Sequence, residues 1–160
     1  MELYLFRHGI AEEAAPGQSD AKRALTDEGR KKTAEVVAAA RRAGVEPSLI
    51  VSSPYVRAVE TAQIAVEGFG YKGEIIRTET LLPFGSPDKV WTELRDYSGE
   101  AAILLAGHEP LLSYLAAYLL ASPQLHVDMK KAALVRIDVE SLGAAPHGIL
   151  RWMITPKLCR

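Results

Sequence analysis

Leu3-Tyr4-Leu5-Phe6-Arg7-His8-Gly9 is the stretch that decides the fold. Four apolar residues in a row read as a short strand buried on both faces, and such strands belong to sheets covered by helices. The run ends in a guanidinium, an imidazole and a glycine, where a buried strand opens into a loop. A strand end of this kind holds reactive groups on a rigid support. Arginine brings a permanent planar cation, histidine a nucleophile or proton carrier, and glycine a close approach of backbone and ligand.

Two other segments repeat the arrangement. Leu49-Ile50-Val51 runs into Ser52-Ser53-Pro54-Tyr55-Val56-Arg57, and the apolar residues 101–106 run into Gly107-His108-Glu109-Pro110. Helical patterns separate these strands. Thr26 is a good N-cap, with Asp27 and Glu28 in the first turn of a helix that continues through residues 34–43 and stops at Gly44. Ser53 reads as the cap of a second helix, with Pro54 its first residue and Gly68 and Gly70 its end. Residues 74–78 form a third strand. Ser86-Pro87-Asp88 repeats the cap-then-proline signal ahead of Val90, Trp91, Leu94 and Tyr97, one face of an amphipathic helix. A leucine-rich helix spans 110–120. Strands at 132–139 and 148–154, separated by Gly143, Pro146 and Gly148, suit a hairpin. The expected architecture is α/β: one domain over residues 1–160, a three-layer α/β/α sandwich around a mostly parallel, mixed sheet.

Bulk properties narrow the function. The 160 residues are 48% hydrophobic and 24% charged, with a net charge of −1. That balance gives no global field for nucleic acid or an anionic membrane. The basic runs Arg30-Lys31-Lys32 and Arg41-Arg42 read as solvated helix faces. No apolar stretch reaches the ~18–20 residues of a membrane span, and Arg7 interrupts the pattern of a secretory signal. Cys159 is the single cysteine, which leaves no intrachain disulfide or cysteine-rich metal site. A cytoplasmic location is the expectation.

All three polar motifs follow strands, so in a parallel sheet they converge on one edge. Arg7, His8, Arg57, His108 and Glu109 would then surround one point. Two guanidiniums and two imidazoles suit a compact, multiply charged anion, phosphate above all. The free amides at the start of the second helix add to anion binding, with Arg57 one turn in. Without a serine-glycine elbow, a catalytic cysteine or a metal cluster, His8 is the best nucleophile, with Gly9 leaving room for in-line attack. Neighbouring guanidiniums favour its neutral, reactive form. It would take up the phosphoryl group as phosphohistidine, while Arg7, Arg57 and His108 hold the phosphoryl oxygens. No cofactor or metal is required, and the arginines would repel zinc from His8, His108 and Glu109. His126 and His147 receive no role, Ser52 and Ser53 read as cap and turn residues, and Glu12 and Glu13 as solvated loop charges.

The motifs Leu5-Phe6-Arg7-His8-Gly9, Ser52-Ser53-Pro54 with Arg57, and Gly107-His108, in that order, resemble the histidine phosphatase (phosphoglycerate mutase-like) superfamily. Arg7-His8-Gly9-Ile10-Ala11-Glu12, Leu82-Pro83-Phe84-Gly85 and the short length are most similar to its SixA-type phosphohistidine phosphatases. The resemblance implies a phosphoglycerate mutase-like fold and a metal-independent phosphatase. Its partner would be a phosphorylated histidine phosphotransfer domain or similar phosphoprotein. His8 would be the nucleophile, with Arg7, Arg57 and His108 in the phosphate pocket. For the proton donor, many relatives carry a glutamate after the third strand. Here Thr80 occupies that place, with Glu79 one residue early. Another branch has an acidic residue after its second histidine, where Glu109 stands, and Glu109 ranks slightly ahead. A labile P–N bond needs such an acid less than a phosphate ester does. The alternatives are a phosphatase or mutase for small phosphate esters, or a non-catalytic module that binds phosphohistidine.

Overall fold

The computed structural model describes residues 1–159. Its strands are β1 (Glu2–Arg7), β2 (Leu49–Ser52), β3 (Ile75–Arg77), β4 (Ala102–Gly107), β5 (Leu134–Asp138) and β6 (Ile149–Ile154). Its α-helices are α1 (Asp27–Arg42), α2 (Val56–Phe69), α3 (Pro87–Leu94) and α4 (Leu111–Leu119). The strands form one sheet in the order β3-β2-β4-β1-β5-β6. β1, β2, β3 and β4 run parallel, and β5 and β6 close the far side as an antiparallel hairpin.

The two-residue period of a strand explains the layers. Leu3 and Leu5 point into a core shared with Trp91 and Leu94 of α3 and Leu111 and Leu115 of α4. Tyr4 and Phe6 point the other way, against Val36, Val37 and Ala40 of α1 and Ala62 and Ala65 of α2. All four strand residues are 0% exposed, so each contributes roughly the 1.5–3 kcal/mol of a fully buried large side chain. Right-handed crossovers place α1 and α2 on one face as the chain moves outward through β2 to β3. The chain then returns through α3 on the opposite face and inserts β4 between β2 and β1.

The expected α/β/α sandwich with a mixed sheet is what the chain forms, and Thr26 caps α1 by accepting from the Gly29 amide at 2.9 Å. Several boundaries differ from the sequence expectation, the strands expected at 74–78, 132–139 and 148–154 being shorter by one to three residues. α2 begins at Val56 with Tyr55 at its cap, rather than with Ser53 as cap and Pro54 as first residue. Ser53 is still held by the sheet, its amide donating to the Ala106 carbonyl at 2.9 Å, so the helix cannot start until the following turn is complete. α3 ends at Leu94, and Tyr97 lies in the 3-10 turn Arg95–Tyr97. α4 begins at Leu111, one residue after Pro110. Among the described residues no helix is long and apolar enough to cross a membrane.

Candidate active site

β2, β4 and β1 are neighbours in the sheet and end at the same height. Ser52 pairs with Ala106 and Arg7 with Gly107, so the chain leaves all three strands side by side. The His8 amide donates to the Gly107 carbonyl at 3.0 Å. The imidazoles of His8 and His108, a hundred residues apart, therefore lie with ring centroids 5.1 Å apart, tilted by 54°.

His8 is 7% exposed. Its Nδ1 lies 2.7 Å from the Gly9 carbonyl oxygen. A carbonyl only accepts, so Nδ1 carries the proton and Nε2 keeps its lone pair. The Arg57 Nε–H donates to that Nε2 at 3.3 Å. The Gly9 amide in turn donates to Thr61 Oγ1 at 3.2 Å, whose hydroxyl donates to the Arg57 carbonyl at 2.8 Å. One threonine on α2 thus ties the loop that orients His8 to the helix that carries Arg57. Gly9 is needed for a reason other than room for attack. A Cβ there would lie 2.5 Å from Thr33 Oγ1 and 3.0 Å from the Gly29 carbonyl oxygen, because α1 packs directly on this loop.

Burial is the main force on both rings. It pushes the His8 imidazole down to about 3, with Arg57, Arg7 and Lys131 adding to the fall and the Gly9 hydrogen bond opposing it. His108, 1% exposed, is also pushed down to about 3 by burial, then by His8 and Arg57. The guanidiniums act in the expected direction, but desolvation outweighs them. Both rings are neutral at physiological pH.

His108 Nε2 lies 2.7 Å from Ser53 Oγ, which also accepts the Tyr55 amide at 3.2 Å. The Tyr55 ring meets His108 edge-on, with centroids 5.2 Å apart. Among the described residues His108 Nδ1 is buried without a hydrogen-bond partner, as is Arg7 Nε. Arg7 anchors through Nη1 to the Met129 carbonyl at 2.8 Å, and its charge acts on both imidazoles. Arg57 is 4% exposed and is the second residue of α2, nearer the helix terminus than one full turn. Its Nη1 and Nη2 donate to Asp20, to the main-chain carbonyl at 2.8 Å and to Oδ2 at 3.0 Å. An unpartnered guanidinium N–H, and an imidazole nitrogen that donates when Ser53 gives its hydroxyl proton to Nε2, suit an oxyanion.

The two glutamates are placed differently. Glu109 spends both carboxylate oxygens on Ser113, accepting its amide at 2.8 Å and its hydroxyl, so it caps the first turn of α4 while its charge still reaches Arg7. Glu79 is exposed, at the start of the 3-10 turn Glu79–Leu81. Thr80 donates its hydroxyl to Glu93 on α3, as does Thr78, which secures that turn to the helix. Sequence reasoning missed Asp20, because a tertiary contact from a loop leaves no local signal. It also missed Thr61, whose position four residues after Arg57 on one helix face was a readable hint. Among the described residues no group of three or more His, Cys, Asp or Glu is placed to hold a metal ion.

Comparison with known proteins gives the family and the fold. The model of the histidine phosphatase superfamily (branch 1) matches residues 3–82. An uncharacterized protein of Picosynechococcus sp. is 34% identical over 98% of each chain. The phosphohistidine phosphatase SixA of Escherichia coli is 25% identical over 98% of this chain and 94% of its own. Among solved structures, the protein histidine phosphatase SixA complexed with tungstate superposes with a TM-score of 0.86 at 23% identity, covering 100% of both chains. A putative alpha-ribazole-5'-P phosphatase from Escherichia coli shares the fold more loosely, with a TM-score of 0.75 at 17% identity over 98% of this chain and 97% of its own. The matched residues hold the first histidine motif and the arginine of α2, the two segments that meet at His8, and the chain belongs to the histidine phosphatase superfamily.

Proposed function

We propose that this protein is a metal-independent phosphohistidine phosphatase, removing the phosphoryl group from a histidine of a phosphotransfer domain or similar phosphoprotein. The observation that carries the reading is the His8 ring: neutral, buried, its Nδ1–H fixed on the Gly9 carbonyl and its Nε2 lone pair beside Arg57. These contacts support Nε2 as the attacking nitrogen.

In the first step the Nε2 lone pair forms a bond to phosphorus as the substrate's P–N bond breaks. The leaving imidazole keeps that electron pair and takes a proton from solvent. Arg7 and Arg57 balance the phosphoryl charge, and the His108 Nδ1–H donates to a phosphoryl oxygen while Ser53 serves Nε2. Water then attacks phosphorus, the bond to His8 breaks, Nε2 recovers its lone pair, and of water's two protons one leaves on the phosphate while the other stays on it or passes to solvent.

The placement of the glutamates favours a phosphoramidate over an ester. With Glu109 occupied by Ser113 and Glu79 exposed, neither stands ready as a buried acid. An alkoxide leaving group needs one, whereas an imidazole leaving group does not. The likeness to proteins named SixA supports the same choice. The small-ester reading draws on the looser fold likeness to the ribazole phosphatase. Turnover is to be compared on a histidine-phosphorylated phosphotransfer domain and on a panel of sugar and glycerate phosphates. Efficient hydrolysis of the phosphodomain is expected, and hydrolysis of the esters alone would overturn the proposal.

A further inference from the structure

The phosphate pocket does not stand alone at its edge of the sheet. A groove of about 880 Å³ is lined by Arg7, by Met153 near the end of β6 and by Pro156, Lys157 and Leu158 of the 3-10 turn Pro156–Cys159. One side is cationic: Lys32 comes from α1, Lys130 and Lys131 from the segment before β5, and Lys157 from that final turn. With Arg7 the lining holds five cations against one carboxylate, Asp128, in a chain whose net charge is −1. The groove is thus locally cationic in a chain that is close to neutral overall.

Internal pairing does not consume it. Lys32 meets Glu28 at 2.8 Å and Lys130 meets Asp128 at 3.0 Å. Lys131 and Lys157, both exposed, have no carboxylate within 4.0 Å among the described residues. Apart from Thr155 the remaining lining is apolar, with Ile10, Met153, Pro156 and Leu158 its larger side chains. Met153 is 39% exposed and Leu158 69%. Side chains of this kind left in water beside lysines fit a partner that is itself part apolar and part acidic. A free inorganic or sugar phosphate would use only the charge.

The groove also borders the reacting centre. The Ala132 amide, next to Lys131, donates to the His8 carbonyl at 3.0 Å, and Arg7 belongs to both the groove and the phosphate pocket. A molecule lying in the groove therefore contacts Arg7, which the proposed chemistry also uses. We infer that this groove docks the acidic, amphipathic protein surface flanking the phosphorylated histidine, with carboxylates on Lys131 and Lys157 and apolar residues on Met153 and Leu158. The inference rests on the phosphohistidine phosphatase reading and adds to it the chemical character of the partner.

The test uses two probes: an acidic phosphotransfer domain phosphorylated on histidine, and free phosphohistidine, which fills only the phosphate pocket. The full chain is compared with Lys131→Glu/Lys157→Glu and with Leu158→Asp, and each variant's rate on free phosphohistidine serves as its own reference. Relative to that reference, kcat/KM on the domain is expected to fall about tenfold for the double variant in low salt, mainly through KM. The deficit should shrink in about 0.5 M salt, where charges are screened within ~4 Å. Leu158→Asp is expected to lose severalfold in both salts. A wild type that hydrolyses the domain, with variants that keep the ratio unchanged, overturns the docking groove and leaves the phosphatase reading intact. A wild type that hydrolyses free small phosphates and never the domain overturns both. Equal losses on domain and free phosphohistidine also overturn the groove, because they place the lysines in catalysis instead.

Discussion

Lowering the pH from about 7.5 to 5 is expected to cost this protein about 4 kcal/mol of stability through two side chains. His8 and His108 are buried and pushed down to about 3, mainly by burial. An unfolded chain presents both imidazoles to water, where they titrate near 6.5. Between those values the unfolded state binds the protons and the folded state does not. Stability is thus complete above about pH 6.5 and falls as the pH drops towards the folded values. At pH 5 each ring lies about 1.5 units below its unfolded value, worth about 2 kcal/mol at ~1.36 kcal/mol per unit. The loss depends little on the precise folded value. Asp20 and Asp138, whose carboxyls their arginine partners hold below the usual range, act at lower pH and leave this window to the histidines. Urea denaturation at a series of pH values measures it. The slope should approach about 2.7 kcal/mol per pH unit at the acid end for two protons, and about half of that in His108→Asn. With total stabilities of ~5–15 kcal/mol the change is large. A loss under about 1 kcal/mol would show that the rings are protonated in the folded protein, and the neutral nucleophile would go with it.

Other outcomes follow from the same contacts. Asp20→Asn removes the charge that engages Arg57 without emptying the loop. Because the carboxylate is 56% exposed, vanadate inhibition should tighten only about two- to fivefold, and unchanged or weaker inhibition would contradict the competition. Thr61→Val strands the Gly9 amide, so about 1–3 kcal/mol of stability should be lost, together with kcat, in urea denaturation and steady-state assays. A stable variant with full kcat would show that this tie does not orient His8. Gly29→Ala places a Cβ 2.1 Å from the Ile10 carbonyl oxygen, so thermal unfolding should shift sharply downward; an unshifted midpoint would mean that α1 can move away from the loop.

The layers were legible because their signals are local. The Leu3-to-Phe6 run, the Thr26 cap and the Ser86-Pro87 start each report on a few consecutive residues, and the structure keeps them. The meeting of His8, Arg57 and His108 was legible because parallel strands fix where their ends lie. Elsewhere tertiary contacts decided the outcome. Ser53 looked like a helix cap, yet its amide is taken by Ala106, so its hydroxyl serves Tyr55 and His108 instead. Glu109 looked like an acid for the site, yet the free amide and hydroxyl of Ser113, one turn on, claim its carboxylate. Asp20 lies 37 residues from Arg57, and no pattern in a loop of small and polar residues announces that pairing. The role of Gly9 was visible only once α1 was in place.

The most direct measurement is a rapid quench with a labelled phosphodomain or labelled small phosphate, followed by peptide mapping of the trapped protein. The account predicts acid-labile, base-stable label on His8, absent from His8→Ala, which should also lack turnover. Full turnover in His8→Ala, or label on another residue, would contradict it.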